Sequence, residues 1–272
     1  MKGRESQTKR FNFDYIRNEF FTMKKLLFSL ILPLVLIKCI QAQVNPKDSV
    51  VFAPLINVHY SYQIPGGDLS RRFGNNNSLG ASFMIKDRKN WLYGIEGSFL
   101  FGSDVNEDPI AQYRVENNEV ISEKGTYAYI AMMERGFYFK GNFGKIIPIL
   151  GPNKNSGPMI MVGVGFIQHS IRYQVDRNTV PWLNDDYEKG YDRLTNGLLL
   201  SQFIGYRYFG NKRFLNFYIG YEFFQGFTKS RRSYNFDTQE SDDENRQDLL
   251  QGVKVGWTIP LYKKTPREFY YD

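Results

Sequence analysis

Residues 213–228 decide the fold: Arg213-Phe214-Leu215-Asn216-Phe217-Tyr218-Ile219-Gly220-Tyr221-Glu222-Phe223-Phe224-Gln225-Gly226-Phe227-Thr228. Leu215, Phe217, Ile219, Tyr221 and Phe223 take every second place, and Asn216, Tyr218, Gly220, Glu222 and Phe224 lie between them. A period of two belongs to a β-strand whose two faces meet unlike surroundings. The pattern returns at Trp91, Tyr93, Ile95, Phe99 and Phe101, and again at Val253, Val255, Trp257, Ile259 and Leu261. One face is apolar and rich in rings; the other is small and polar.

Eight such segments can be traced, at 51–63, 77–86, 91–102, 128–143, 157–174, 197–209, 213–228 and 248–262. In the fourth, residues 121–135 also suit a helix. Strands of ten or more residues exceed the usual five or six but match a tilted strand crossing a bilayer. The connections alternate in length. Three are short, at 87–90, 151–157 and 210–212, and four are long and polar, at 65–76, 103–127, 175–196 and 229–247. In an up-and-down meander odd and even connections lie at opposite ends, so short turns at one end and long loops at the other mark an outer-membrane barrel. The predicted fold is all-β: an eight-stranded antiparallel up-and-down transmembrane β-barrel.

Parity then assigns the faces. The alternating rings point to lipid, because an apolar exterior of that extent would aggregate in water. The other parity turns His59, Glu96, Lys140, Arg207, Glu222 and Lys254 inward. Mixed charges in a narrow lumen have two readings: a salt-bridge network filling a barrel whose bore is just wide enough for side chains, or a polar conduction path.

The chain has 272 residues, 42% hydrophobic and 17% aromatic, which is unlike disorder. Its formal charge is +7. The first 42 residues carry Lys2, Arg4, Lys9, Arg10, Arg17, Lys24, Lys25 and Lys38 against Glu5, Asp14 and Glu19, and so supply +5 of it. The remainder is nearly neutral, without the basic stripe of a nucleic-acid binder. Met23-Lys24-Lys25, an apolar run of about 12 residues and Ile40-Gln41-Ala42 form the three parts of a secretory signal, the run being too short to span a bilayer. The expected organisation is an upstream extension over 1–22 from an early start codon, a signal peptide over 23–42 and a barrel domain over 43–272. Cys39 follows Lys38 where a lipidated cysteine follows a small residue, and it is expected to leave with the signal.

The pattern of alternation, the loop parity and the final strand Trp257-Thr258-Ile259-Pro260-Leu261-Tyr262 resemble the small outer-membrane β-barrel proteins of Gram-negative bacteria, the eight-stranded group that includes the OmpA transmembrane domain and the OmpX and OmpW types. The resemblance covers essentially the whole chain after residue 42. It implies a bacterial outer-membrane location, contact with outer-membrane lipid and lipopolysaccharide, and recognition by the barrel-assembly machinery of an aromatic near the end of the last strand, a role that Tyr262 fits. The chain departs from that pattern by continuing to Asp272. Members of the group range over pores, adhesion factors, structural anchors and lipid-modifying enzymes, so fold alone does not fix the role.

No catalytic, cofactor-binding or metal-ligating set emerges. One cysteine and two histidines leave little for a metal centre. His169 and Ser170 are adjacent and point to opposite faces; His59 and Ser61 share a face, but parity turns it inward, away from lipid. The acidic run 237–244 lacks the EF-hand pattern. The long loops hold Trp182, Tyr187, Tyr191, Arg231, Arg232 and Tyr234, a composition suited to partners or glycolipid and equally to loop packing. The expected function is a structural or loop-mediated binding component of the envelope, in contact with other envelope proteins and without enzymatic activity or cofactor. A narrow porin-like channel is the alternative, and a lipid-modifying enzyme the third reading.

Overall fold

A computed structural model describes residues 50–176, 180, 183, 185–210 and 215–261. The expected extension, signal peptide and mature start, Cys39, Trp182 and Tyr262 lie outside the described residues. Strands β1 (Ala53–Gly67), β2 (Asn76–Lys86) and β3 (Trp91–Gly102) precede a two-residue β4 (Val120–Ile121). β5 (Tyr127–Ile146), β6 (Gly157–Asp176), β7 (Thr195–Phe209), β8 (Asn216–Ser230) and β9 (Asn245–Pro260) follow. Single helical turns α1 (Leu69–Arg72) and α2 (Asp185–Glu188) sit in the first and third long loops.

Eight of these strands pair antiparallel, each with its neighbour in the ring, β4 being passed over by β3 pairing directly with β5. The ring closes between β1 and β9, in the register Val58↔Trp257 and Tyr60↔Val255. Closure leaves no open edge, the condition for a sheet in hydrocarbon, where no water satisfies backbone groups. Residues 121–126 form no helix: Val120 pairs with Ala128 across a tight turn that Gly125 enters at φ 71°.

The faces follow the parity of the sequence. Tyr60, Ile95, Phe139, Val164, Tyr221 and Val255 are exposed, whereas Asn57, His59, Glu96, Lys140, Glu222 and Lys254 are buried in the lumen. Rings gather toward both ends of the outer face: at the short-turn end Trp91 stacks on Phe143 at 5.0 Å beneath the Lys145 ammonium and Tyr208 stacks on Phe217 at 5.1 Å, and toward the long-loop end Phe99 stacks on Phe101 at 6.3 Å and Phe137 lies 6.1 Å from Phe166. Such a girdle sits at a membrane interface. The small inward residues make room for larger neighbours. A Cβ on Gly80 would lie 2.0 Å from Ser98 Oγ and 2.8 Å from His59 Nε2, and one on Gly256 would lie 2.3 Å from the Tyr218 ring.

Both ends depart from a plain barrel. At the short-turn end, residues 147–152 stand in solvent, but the end of that turn folds inward: Asn153, Asn155 and Ser156 are buried. Asn153 Nδ2 and Ser156 Oγ donate to the Phe209 carbonyl at 2.6 and 3.2 Å, and Asn155 Oδ1 accepts from the Lys86 ammonium at 2.9 Å. At the other end, β3 leaves β5 at Gly102↔Glu134, and β7 leaves β6 at Thr195↔His169. Residues 127–133 and 170–176 therefore continue past the rim as a two-stranded ribbon about 23 Å long, at roughly 3.3 Å per residue. The inner side of this ribbon carries Ala128, Ile130, Ile171 and Tyr173, which pack with Phe73, Ile110, Val120, Val180, Leu183 and Tyr191 from the loops. That cluster runs on into the lumen through Leu100, Ile167, Leu199, Phe224 and Leu250.

Val164 stands near the middle of the lipid face, 55% exposed. Val164→Arg should destabilise the barrel by about 2–4 kcal/mol in lipid vesicles, the cost of arginine at the midplane. Glu123→Arg, in the exposed turn after β4, should change stability by less than about 0.5 kcal/mol. Urea unfolding in vesicles followed by tryptophan fluorescence measures both.

Candidate functional site

Two parts of the molecule gather polar side chains: the middle of the lumen and the loop end. In the lumen, cross-strand pairing sets Glu96 beside Lys140, and adjacent β8 and β9 bring Glu222 and Lys254 across from them. The Lys254 ammonium binds Glu96 Oε1 and Glu222, the latter at 3.1 Å to Oε2, while Lys140 binds Glu222 and reaches Glu96 at 3.5 Å. Two carboxylates and two ammoniums thus cancel within one cluster. Neutral donors complete it: Tyr138 Oη donates to Glu96 Oε1 at 3.3 Å, and Asn142 Nδ2 to Oε2 at 3.1 Å. The Lys140 ammonium also lies 4.7 Å from the Phe224 ring centre. Buried charges survive when paired and hydrogen-bonded, and these are both.

His59 joins the edge of this cluster. Its Nε2 lies 2.7 Å from Ser98 Oγ and 3.5 Å from Glu96 Oε1. Hydroxyl and carboxylate therefore compete for one nitrogen, whereas a nucleophile, base and acid in relay need both nitrogens. Ser61 Oγ is buried without a partner. Higher in the lumen, His169 Nε2 and Thr228 Oγ1 both meet Asp248 Oδ2, at 2.9 and 2.5 Å, again on one side of the ring. Arg207 stands apart from the other five lumen residues singled out by parity. It is fully buried nearer the short-turn end, its guanidinium 4.7 Å from the Tyr218 ring centre.

At the other end, all four long loops are joined by one chain of ion pairs. Arg72 of the first loop binds Glu107 of the second, Nε to Oε2 at 3.0 Å; Arg193 of the third binds the same carboxylate, Nε to Oε1 at 2.6 Å. Arg193 then turns its two Nη atoms onto Asp237 of the fourth loop, at 2.9 and 2.5 Å. Burial alone would lower the Arg193 pKa; the hydrogen bonds and charges of Asp237 and Glu107 outweigh it and hold that pKa above the usual arginine value. Arg193 also sits at φ 52°, a left-handed backbone that costs a residue with a Cβ roughly 1–2 kcal/mol, so the relay holds it there. Arg232 pairs with Asp192, and Arg246 with Asp242 at 2.7 Å, which accounts for part of the acidic run 237–244. Beside the relay, a cleft of about 240 Å³ opens between Arg72, Glu107, Arg193, Asp242 and Arg246.

The loop residues singled out in the sequence fall into two groups. Tyr187, Tyr191 and Tyr234 converge on Phe236, with ring centres 6.1, 5.6 and 6.2 Å away. Tyr191 is buried and belongs to the packing of the cap, while Tyr187 and Tyr234 stay about half exposed. Arg232 is taken up by Asp192; Arg231 is exposed, donating through Nε to Asn196 Oδ1 at 2.5 Å. Phe236, Arg72, Glu107 and Arg193 carry the cap and were not singled out, because nothing periodic marks partners that meet from four separate loops.

Two expectations follow. Lys254→Met should destabilise the barrel by about 3–5 kcal/mol, since two buried carboxylates then share one ammonium, and the double variant Lys254→Met, Glu222→Gln should recover much of the loss; equilibrium unfolding of both tests this. Arg193→Met should leave barrel stability unchanged but cost the cap about 2 kcal/mol, making loop cleavage by a soluble protease about 25-fold faster.

No family model matches the sequence, and no curated protein matches it either. Among solved structures, the chain is similar to Neisserial surface protein A at 7% identity and a TM-score of 0.39, over 76% of this chain and 96% of that one. It is similar to Ail, the attachment invasion locus protein of Yersinia pestis, at 11% identity and a TM-score of 0.36, over 76% and 99%. It is also similar to the N-terminal β-barrel domain of Pseudomonas aeruginosa OprF at 8% identity and a TM-score of 0.34, over 77% and 100%. The eight-stranded closed barrel rests on this chain's own register, from Val58↔Trp257 round to Phe217↔Trp257.

Proposed function

We propose that the protein is an integral component of a Gram-negative outer membrane that binds through its long-loop end, and that it neither catalyses a reaction nor conducts solutes in bulk. The observation that carries this reading is the relay Arg72–Glu107–Arg193–Asp237, which ties four loops into one cap. Loops that only connect strands have no need of such bracing; loops that present a surface do. Two features speak against conduction: the neutral charge cluster across the mid-lumen, and the buried Asn153, Asn155 and Ser156 at one opening. The histidines speak against catalysis, since each lies inside the lumen with its polar contacts on a single nitrogen.

In this reading the termini and short turns face the periplasm, residues 23–42 are removed on export with 1–22 lying upstream of them, and the barrel-assembly machinery inserts the chain. Arg231, exposed beside the rim, meets lipopolysaccharide phosphates, and the half-exposed Tyr187 and Tyr234 meet a protein or glycolipid partner of the envelope. Recording in planar bilayers tests the proposal: the protein should be electrically silent, and envelope components that co-purify with it should be lost when residues 231–244 are replaced by a short turn. Stable conductance that shifts on neutralising Glu222 or Arg207 would make it a pore instead. A lipid profile that changes with His59→Ala would make it an enzyme.

A further inference from the structure

The charge balance of the lumen is met in its middle and left unmet at its short-turn end. Arg207 is 0% exposed, and among the described residues none of its three guanidinium nitrogens has a hydrogen-bond partner. Among the described residues no carboxylate pairs with it. Its surroundings are rings: Tyr218 and Phe209 lie 4.7 and 5.8 Å from the guanidinium carbon. Rings offer their faces to the cation, but guanidinium N–H groups point outward in the guanidinium plane and need acceptors at its rim. A second buried cation, Lys86, lies at the same end of the lumen. Lys86, 2% exposed, feels the Asp87 carboxylate first and the Arg207 charge after it, and among the described residues its ammonium is hydrogen-bonded to neutral oxygens, the Val51 carbonyl at 3.0 Å, Asn155 Oδ1 at 2.9 Å and the Asp87 carbonyl at 3.5 Å.

We propose that the short-turn end of the lumen is a binding site for a small inorganic anion of halide size, held by the in-plane donors of Arg207 and favoured by the Lys86 charge. An anion answers both needs of the site, the unmet N–H groups and the uncancelled charge, whereas a neutral acceptor such as water answers only the first. A small ion is named because this part of the lumen is closely filled. Gly205 and Gly220 face each other across β7 and β8, and the space beside them is filled by Phe203, whose Cζ would lie 2.7 and 2.4 Å from a Cβ at either position. At this end Asn153, Asn155 and Ser156 lie across the opening, held by hydrogen bonds to Phe209 and Lys86 whose breaking would admit an ion.

Crystals of the detergent-solubilised protein soaked in sodium bromide provide the direct test. At the bromine absorption edge, an anomalous peak should appear within hydrogen-bonding reach of Arg207 Nε or Nη, and it should be absent from Arg207→Met crystals. In solution, the melting temperature of the parent should rise as chloride replaces gluconate at constant ionic strength, because a ligand bound only by the folded state stabilises it by mass action. That of Arg207→Met should not respond. An ordered water at Arg207 without anomalous signal, bromide peaks only at the outer surface, or an equal chloride response in the variant would each overturn the proposal. The parent crystals decide the matter even if Arg207→Met fails to fold.

Discussion

Hydrocarbon offers no hydrogen-bond partner, and that single deprivation shapes the chain. Every backbone donor and acceptor within the lipid must be met by protein, so the sheet closes between β1 and β9. Once it closes with eight strands, the bore admits side chains and little else. The inner residues must then fill it without stranding charge. Glu96, Glu222, Lys140 and Lys254 do so as a mutually cancelling set, and glycines such as Gly80 and Gly256 yield the volume that His59, Ser98 and Tyr218 occupy.

How much of this could be read beforehand depended on whether a feature is periodic. Alternation at 91–102 gave β3 its observed bounds, and the final strand, traced to 262, ends at Pro260. Inward placement of the lumen residues followed from parity, since a strand reverses its faces at every step. Parity says nothing of height within the bore, which is why Arg207 could be set among the others in sequence yet stands away from their ion pairs in space. The inward-turned Asn153, Asn155 and Ser156 are ordinary turn residues, and their contacts with Phe209 and Lys86 reveal their position. The β5 arm of the ribbon lay under a helical alternative, because the alternating positions there include Ala128 and Met132, which suit either state.

The loop cap shows the same limit more sharply. Arg72, Glu107, Arg193 and Asp237 are separated by tens of residues, in segments without period, and each looks in sequence like an ordinary solvated charge. Their meeting is set by the barrel, which fixes where every loop begins and ends. The aromatic residues of the third and fourth loops were visible as a composition, but Phe236, the ring on which three tyrosines converge, is distinguished only by its neighbours.

Surface loops of membrane proteins are usually free to diverge one at a time, because each touches little besides solvent. Here Glu107 holds two arginines from two other loops, and Arg193 holds a fourth loop in turn. A charge reversal at any one position leaves an unmatched group in another loop, so acceptable changes must come in compensating sets. The outer face of this barrel is thus bound to evolve as a single unit, with covariation between loops where one expects independent drift.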